Sequence, residues 1–286
     1  MVLTICTPVY NRAYCINRLY DSLVDQTSKS FEWIIVDDGS TDNIADVVTG
    51  YIEENKIKIR FFSKENGGKH TAINVGLSKA TGYFFYIVDS DDALPEDAVE
   101  FIIAEGSKII DDNMFAGLVG CDRTMDGKVL SNIPDGVLDS NSIDIRYKYH
   151  IHGDMAEVFK TDVLKEFPFP VFVGELFCPE ALVWNRIAVK YKLRYFSKVL
   201  KIVEYLPDGL TAKITKLRYK SPTASMTYYS ELFHDNIPIV WKIKAAINYW
   251  RFSLATYKSD YRMHNILSLL CYLPGKLMQI KESRKK

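Results

Sequence analysis

Over its first hundred residues the chain alternates between two apolar periods, and that alternation leaves few folds open. Short β-rich runs are VLTICT (2–7), FEWIIVD (31–37), IKIRFFS (57–63) and YFFYIV (83–88). Between them lie stretches with helical spacing: YCINRLYDSLVDQ (14–26), with Ile16, Leu19 and Leu23 on one side, IADVVTGYIEE (44–54) and HTAINVGLSKA (70–80). Strands alternating with helices of this length predict βαβ units, hence an α/β fold with a mainly parallel sheet flanked by helices. In such sheets ligands bind beyond the carboxyl ends of the strands. The segments there are TPVYNR (7–12), DDGSTD (37–42), KENGGKH (64–70) and DSDD (89–92). Each is polar or rich in Gly or Pro, and all four open on one rim.

The second half is less regular. FAGLVGCD (115–122) and EVFK (157–160) read as strands, PEALVWNRIAVKY (179–191) as a helix, and LRYFSKVLKIVEYL (193–206) as one or two strands. From Pro222 onward the pattern is helical, with Ile239, Ile243, Ala246, Trp250, Leu254 and Tyr257 in an apolar stripe. Pro274 and Gly275 are expected to interrupt the last helix. The length of 286 residues and the 48% hydrophobic composition suit one large domain, or one with an appendage. Zero formal net charge conceals an asymmetry. Residues 242–286 hold ten Lys and Arg against Asp260 and Glu282, a net of +8, so the first 241 residues carry −8. That split predicts a basic tail meeting an anionic membrane surface or another polyanion, against the plainer reading of a solvated helical face.

Several classes are disfavoured. The five cysteines, Cys6, Cys15, Cys121, Cys178 and Cys271, form no C-x-x-C pair, so neither a zinc knuckle nor a disulfide framework is expected, and a reducing cytosol is the default. The opening MVLTICTPVYNR lacks a basic start followed by a long apolar run, which predicts no signal peptide. No window of about 18 uncharged apolar residues predicts a spanning helix. A P-loop fails where Ser63 and His70 stand at the ends of the pattern, and no G-x-G-x-x-G follows the first strand.

In DSDDALPED (89–97), Pro95 suits the first position of a helix, and Glu96 and Asp97 then fall in its first turn, where acids favour the dipole. Capping does not explain Asp89 and Asp91. In extended chain they would point the same way, roughly 6–7 Å apart. At an effective dielectric near 20 they would repel by roughly 2–3 kcal/mol. A divalent cation removes that cost, and Mg2+ or Mn2+ would fill its shell with waters and phosphate oxygens. VDDGST (36–41) reads as a turn with a helix cap, or as a base or ribose acceptor at Asp38. In NGGKH (66–70) the glycines and Lys69 allow close approach to a diphosphate.

TPVYNR, VDDGSTD, ENGGKHTAINVGLSKATG and YIVDSDDALPED, in that order, resemble the nucleotide-sugar-binding half of a family 2 glycosyltransferase of the GT-A fold. The resemblance implies a division into 1–110, the nucleotide-sugar-binding half, 111–206, the acceptor half, and 207–286, a basic helical extension. It implies base contacts from Pro8, Tyr10 and Asn11 and from Asp38, with Asp37 orienting the loop. Asn66 and Lys69 would lie near the base and diphosphate. Asp89 would face the ribose or a metal water, Ser90 would be a further nucleotide-sugar contact, and Asp91 would bind Mn2+ or Mg2+ directly; Asp92 would support either. Members of the family place a catalytic carboxylate at the start of a helix below the sugar, often as Glu-Asp. Here Pro179 and Glu180 replace that pair, so Glu180 is the expected base and Glu175 and Asp154 its rivals. His150 and His152 are further candidates at the acceptor or leaving phosphate, against the plainer reading of structural histidines.

The implied activity is inverting transfer from a nucleoside-diphosphate sugar, a UDP-sugar by family precedent, to a glycan or lipid-linked acceptor in bacterial surface polysaccharide synthesis. A sugar nucleotidyltransferase would want a Gly-rich loop after the first strand, and TPVYNR has no glycine. A non-catalytic nucleotide-sugar-binding module would keep the rim without the acceptor-side carboxylates. Lys242, Lys244, Arg251 and Lys258 flank the apolar stripe, and Trp241, Tyr249 and Trp250 suit an interface. The expected location is therefore cytoplasmic and peripheral at the inner face of the plasma membrane. Alternatively, the tail helices pack on the domain or on a second copy in a homodimer. No nucleic-acid partner is expected.

Overall fold

A computed structural model describes residues 2–206, 209, 211–253 and 266–283. Among them eight strands build one sheet: β1 (Leu3–Val9), β2 (Phe31–Asp37), β3 (Ile59–Ser63), β4 (Phe84–Ile87), β5 (Phe115–Thr124), β6 (Val137–Ser140), β7 (Met155–Lys160) and β8 (Lys192–Val203). The order is β3-β2-β1-β4-β7-β5-β8-β6. β1 runs parallel to β2 and β4, β2 to β3, and β5 to β8; β7 is antiparallel to β4 and β5, and β6 to β8. The helices are α1 (Ile16–Val24), α2 (Ile44–Glu54), α3 (Lys69–Lys79), α4 (Ala98–Ser107), α5 (Asp144–Tyr147), α6 (Thr161–Glu166), α7 (Glu180–Ala188), α8 (Ile214–Lys220), α9 (Pro222–His234), α10 (Ile239–Ser253), α11 (Ile266–Leu270) and α12 (Tyr272–Ser283).

The two-residue period of the strands divides the core into two layers. Leu3, Ile5, Trp33, Ile35, Phe84 and Tyr86 face α1, α2 and α4. Cys6, Ile34, Val36 and Phe85 face α3, α6 and α7 through Ile73, Leu77, Leu164 and Val183. Both layers are closed to solvent, which is why the central strands read as nearly continuous apolar runs. Tyr20 and Tyr51 stack at 3.9 Å between α1 and α2, with Trp33 beneath them. A buried carboxylate braces the edge of this core: Glu32 accepts from Thr4 Oγ1 at 2.8 Å, Thr81 Oγ1 at 2.7 Å, Thr81 N at 2.8 Å and Arg60 Nη1 at 3.0 Å.

Several boundaries differ from expectation. LRYFSKVLKIVEYL is a single long strand, β8, and β6 was unmarked because its four residues are largely exposed. Helix α4 begins at Ala98, not Pro95. The Pro95 carbonyl accepts from Gln26 Nε2 at 2.8 Å, and Pro95–Asp97 form the turn that leads into the helix. The residue-110 boundary falls between strands of the same sheet.

The middle of the C-terminal stripe packs inward. Met226, Phe233, Ala246, Tyr249 and Phe252 form a core between α9 and α10, and α12 crosses α10 where Gly275 has no Cβ; one there would stand 2.7 Å from Trp250 Cβ. Ala246 is buried, Ile243 and Trp250 are half-buried, and Ile239 is exposed, while Leu254, Tyr257 and Lys258 lie outside the described residues. Nor do Pro274 and Gly275 interrupt a helix. Pro274 sits in the first turn of α12, where a missing N–H costs nothing, and the break falls at Cys271. Exposed apolar residues gather on α11, at Ile266, Leu269 and Leu270, and on α12, at Leu273 and Leu277.

Replacing Glu32 with Ala should cost about 3 kcal/mol in urea unfolding, because it strands buried donors around a vacated site. Burial alone would raise the Glu32 pKa, but the donors from Thr81, Thr4 and Arg60 outweigh it and hold it low. Its contribution is therefore full above the unfolded carboxylate value of about 4.3 and fades as pH falls through the lowered folded value. An unchanged acid limb of the stability profile in the variant would contradict this assignment.

Candidate active site at the strand termini

The four rim loops are fixed to one another by their own side chains. Asn11, at φ +54°, accepts from Thr41 N at 2.8 Å through Oδ1, while its backbone N–H donates to Ser40 Oγ at 2.8 Å. The expected contact residue Asn11 thus staples the β1 loop to the β2 loop. Tyr10 beside it is 49% exposed and stands open on the rim, with Pro8 half-buried behind it at the end of β1. Asp37 accepts from Ser40 N at 2.8 Å and Ser63 Oγ at 3.0 Å, which ties the β2 loop to the end of β3.

Asp38 differs from expectation. Its carboxylate is buried and holds the third loop, accepting from Gly67 N at 2.9 Å, Gly68 N at 2.7 Å and Lys64 Nζ at 2.6 Å. It is not a free acceptor at the rim in this state, whereas Asn66 at the loop tip is exposed. Gly68 adopts φ +90°, and a Cβ there would lie 2.0 Å from the Leu176 carbonyl oxygen. Only glycine lets the loop pass so close to the chain that enters α7.

That crossing brings Lys69 to the centre. Its Nζ lies 2.7 Å from the Asp89 carboxylate and 2.9 Å from Glu180 Oε1. The first residue of α7 is therefore joined through one ammonium to a carboxylate two residues past the end of β4. Burial works against the charge on Lys69, but Asp89 and Glu180 outweigh it and hold the ammonium above the usual lysine range. Burial would likewise raise Asp89; Lys69 foremost, with Lys201 and Arg12, keeps it below the usual carboxylate range.

Asp89–Asp92 is a turn rather than extended chain, with Asp92 N donating to Asp89 O at 3.1 Å. Ser90 is buried inside it. Arg18 of α1 clamps this turn, one guanidinium nitrogen on the Asp91 carbonyl and another 2.6 Å from Glu204 Oε2. The Asp91 carboxyl is pushed up by burial and then by the charge of Asp89. A cation shared by the two would relieve that repulsion, so the pair fits a divalent metal. Among the described residues no cluster of three or more His, Cys, Asp or Glu side chains makes a protein-only metal cage. One or two carboxylates completed by phosphate oxygens and water is the usual arrangement for Mg2+.

Asp92 turns the other way. It is buried 4.0 Å from Lys201 Nζ, which in turn lies 3.3 Å from Asp122 Oδ2 across the β5–β8 pair. Burial pushes Asp92 up to about 8 and Asp122 to about 6, with Lys201 opposing both. Asp92 therefore belongs to a buried charge group beneath the turn.

Of the acceptor-side candidates, only Glu180 reaches the centre. Glu175 accepts from Thr223 N at 2.7 Å and Ala224 N at 2.8 Å and caps α9, which removes it as a rival base. Asp154 receives the Tyr205 hydroxyl. His150 is exposed at φ +55°, and His152 is exposed with its backbone N–H on Asn132 Oδ1 at 2.9 Å. Sequence reasoning missed Arg18, Asp122 and Lys201, isolated charges within a helix or strands that form no motif, and gave no role to Lys64 at the start of the KENGGKH segment.

Residues 4–129 match the family described as Glycosyl transferase family 2. The chain is 38% identical over 133 residues to a chondroitin synthase of Pasteurella multocida strain Pm70, covering 46% of this chain and 13% of that protein. A hyaluronan synthase of Pasteurella multocida gives the same figures. The chain thus spans about an eighth of the length of these relatives. Among solved structures, S. aureus TarS 1–349 in complex with UDP-GlcNAc superposes with a TM-score of 0.63 at 17% identity, over 98% of this chain and 81% of that one. The mannosyltransferase PcManGT from Pyrobaculum calidifontis, in complex with GDP-Man and Mn2+, gives 0.56 at 19%, over 99% and 82%. These likenesses establish the fold as that of the GT-A transferases. The segment that carries the Lys69 crossing and both Asp89 and Asp91 belongs to glycosyl transferase family 2.

Proposed function

We propose that the chain is a metal-dependent inverting glycosyltransferase. In this reading it moves a sugar from a nucleoside-diphosphate sugar, a UDP-sugar, to a hydroxyl of a glycan or lipid-linked acceptor in bacterial surface polysaccharide synthesis. The observation that carries the reading is the meeting of Asp89, Lys69 and Glu180 at one point, since it sets a donor-side carboxylate, a cation and an acceptor-side carboxylate within a single ion-pair cluster. The named ligands of the superposed structures, UDP-GlcNAc in TarS and GDP-Man with Mn2+ in PcManGT, support the donor class. Residues 1–110 would serve the donor, 111–206 the acceptor, and 207–286 a surface.

In this mechanism Tyr10 and the loop held by Asp38 receive the base, with Pro8 and Asn66 at its edge. Asp91, with Asp89, would hold Mn2+ or Mg2+, which supplies Lewis-acid stabilisation of charge on the leaving diphosphate. Lys69 exchanges its carboxylate partners for diphosphate oxygens as the donor enters, adding a cation where negative charge grows. That exchange frees Glu180 to take the acceptor proton as the oxygen attacks C1 from the opposite face. A single displacement inverts the anomeric centre.

The exposed leucines of α11 and α12 lie beside Lys276 and Lys281, an apolar face with basic neighbours. They support seating on an anionic membrane, where a lipid-linked acceptor would be found. No helix among the described residues is long and apolar enough to cross one.

Asp91→Ala should lower transfer by about 100-fold or more at saturating Mn2+, read by release of the nucleoside diphosphate; an unchanged rate would remove Asp91 from the metal site. Glu180→Gln should lower kcat by about 100- to 10,000-fold while UDP affinity measured by calorimetry stays within a few-fold. Normal turnover in that variant would move the base elsewhere. Changing Leu269, Leu273 and Leu277 together to Ser should reduce co-sedimentation with phosphatidylglycerol vesicles several-fold, and unchanged sedimentation would count against the membrane face.

A further inference from the structure

The three residues that run toward Glu180 from the acceptor half, Glu175, Leu176 and Phe177, are each held from outside their own segment. Glu175 is buried, and its two oxygens accept from Thr223 N at 2.7 Å and Ala224 N at 2.8 Å. Pro222 opens α9 without an N–H, so these are the first donors the helix presents. The residue before a helix ordinarily caps them. Ser221 holds that position but makes no such bond. Its buried hydroxyl accepts instead from Phe177 N at 3.2 Å. The two segments therefore exchange caps. The acceptor half supplies a carboxylate to the helix of the extension, and the extension supplies an oxygen to the backbone of the acceptor half. Between these two contacts, Leu176 carries the carbonyl against which Gly68 passes.

The hold extends further along both chains. The guanidinium carbon of Arg218, in α8, lies 5.8 Å from the Phe177 ring centre and 5.3 Å from those of Tyr228 and Tyr229. Phe177 thereby joins a cation–aromatic stack that belongs to the extension. Beyond Glu180, Arg186 of α7 forms a two-pronged pair with Glu231 of α9, at 2.9 and 2.7 Å. The chain is thus fixed to α9 or its cap at residues 175 and 177, before Glu180, and at 186 after it. The donor side rests on other supports, Asp38 under the glycine loop and Arg18 against the Asp89–Asp92 turn. A carboxylate that must meet an acceptor hydroxyl is sensitive to such placement, since a shift of about 1 Å caused away from the chemistry can cost about 100-fold in rate.

We propose that Glu175 is a positioning residue for Glu180, so that the α8–α9 junction acts on the reaction centre in addition to offering a surface. The proposal rests on the transfer reading, in which Glu180 is the base. Glu175→Gln keeps the shape of the side chain but sets an amide NH2 against one of the two N–H groups. It should lower kcat about tenfold or more, while UDP affinity by calorimetry and the donor KM stay within a few-fold. The effect should vanish when Glu180 is already Gln, because a residue that acts through another adds nothing once that one is gone. Ser221→Ala removes one bond and no charge. It should show the same pattern at smaller size, and it carries the test where Glu175→Gln fails to fold. Amide hydrogen exchange supplies a readout independent of turnover: protection at Phe177 and Leu182 should fall several-fold in both variants while β1 and β4 keep theirs. Wild-type protein that releases no nucleoside diphosphate from any donor would remove the transfer reading, and exchange alone would then decide the positioning. Normal kcat in a folded Glu175→Gln protein, an equal loss in the Glu180→Gln background, a parallel loss of UDP affinity, or unchanged exchange at Phe177 would overturn it.

Discussion

One ammonium, Lys69, holds the two halves of the site together. Asp89 follows a parallel strand by two residues and Glu180 starts a helix more than ninety residues later, and each carboxylate is within 3 Å of its Nζ. Two carboxylates brought this close in a partly buried setting would repel each other, and the cation between them makes the arrangement favourable. The geometry upstream serves this contact. Asp38 fixes the glycine pair, and Gly68 passes against Leu176 where no other residue could, so that Lys69 leaves the loop at the required place.

The glycine loop is shaped from within, by the Asp38 carboxylate that accepts from Gly67 N and Gly68 N. Beneath it, the buried group of Asp92, Lys201 and Asp122 supports the Asp89–Asp92 turn from the sheet, and Arg18 supports it from α1. The rim is thus built on backbone and charge contacts among its own loops, the sheet and α1.

Much of the fold was legible because strand and helix periods differ so sharply in the first hundred residues. Trp33, Ile35, Tyr86 and their neighbours alternate faces as a two-residue period requires. The rim was legible as a place, since polar loops after parallel strands converge. The partners of individual side chains were not. Asn11 and Asp38 look like ligand acceptors in sequence, yet both spend their oxygens on neighbouring loops. Glu175 looks like a rival of Glu180 until the cap of α9 is seen. Lys201 was invisible because a lone charge in a strand shows neither its burial nor what lies across the sheet. Helix α4 was placed three residues early because Pro95, well suited to a first turn, instead forms the turn before it.

The central claim is that this cluster serves a nucleoside-diphosphate sugar. The most direct measurement is release of nucleoside diphosphate across a panel of nucleotide sugars, with Mn2+ and with a chelator. The account predicts release from one donor or a closely related group, abolished by the chelator. Equal background release from every donor, with no dependence on Mn2+, would contradict it.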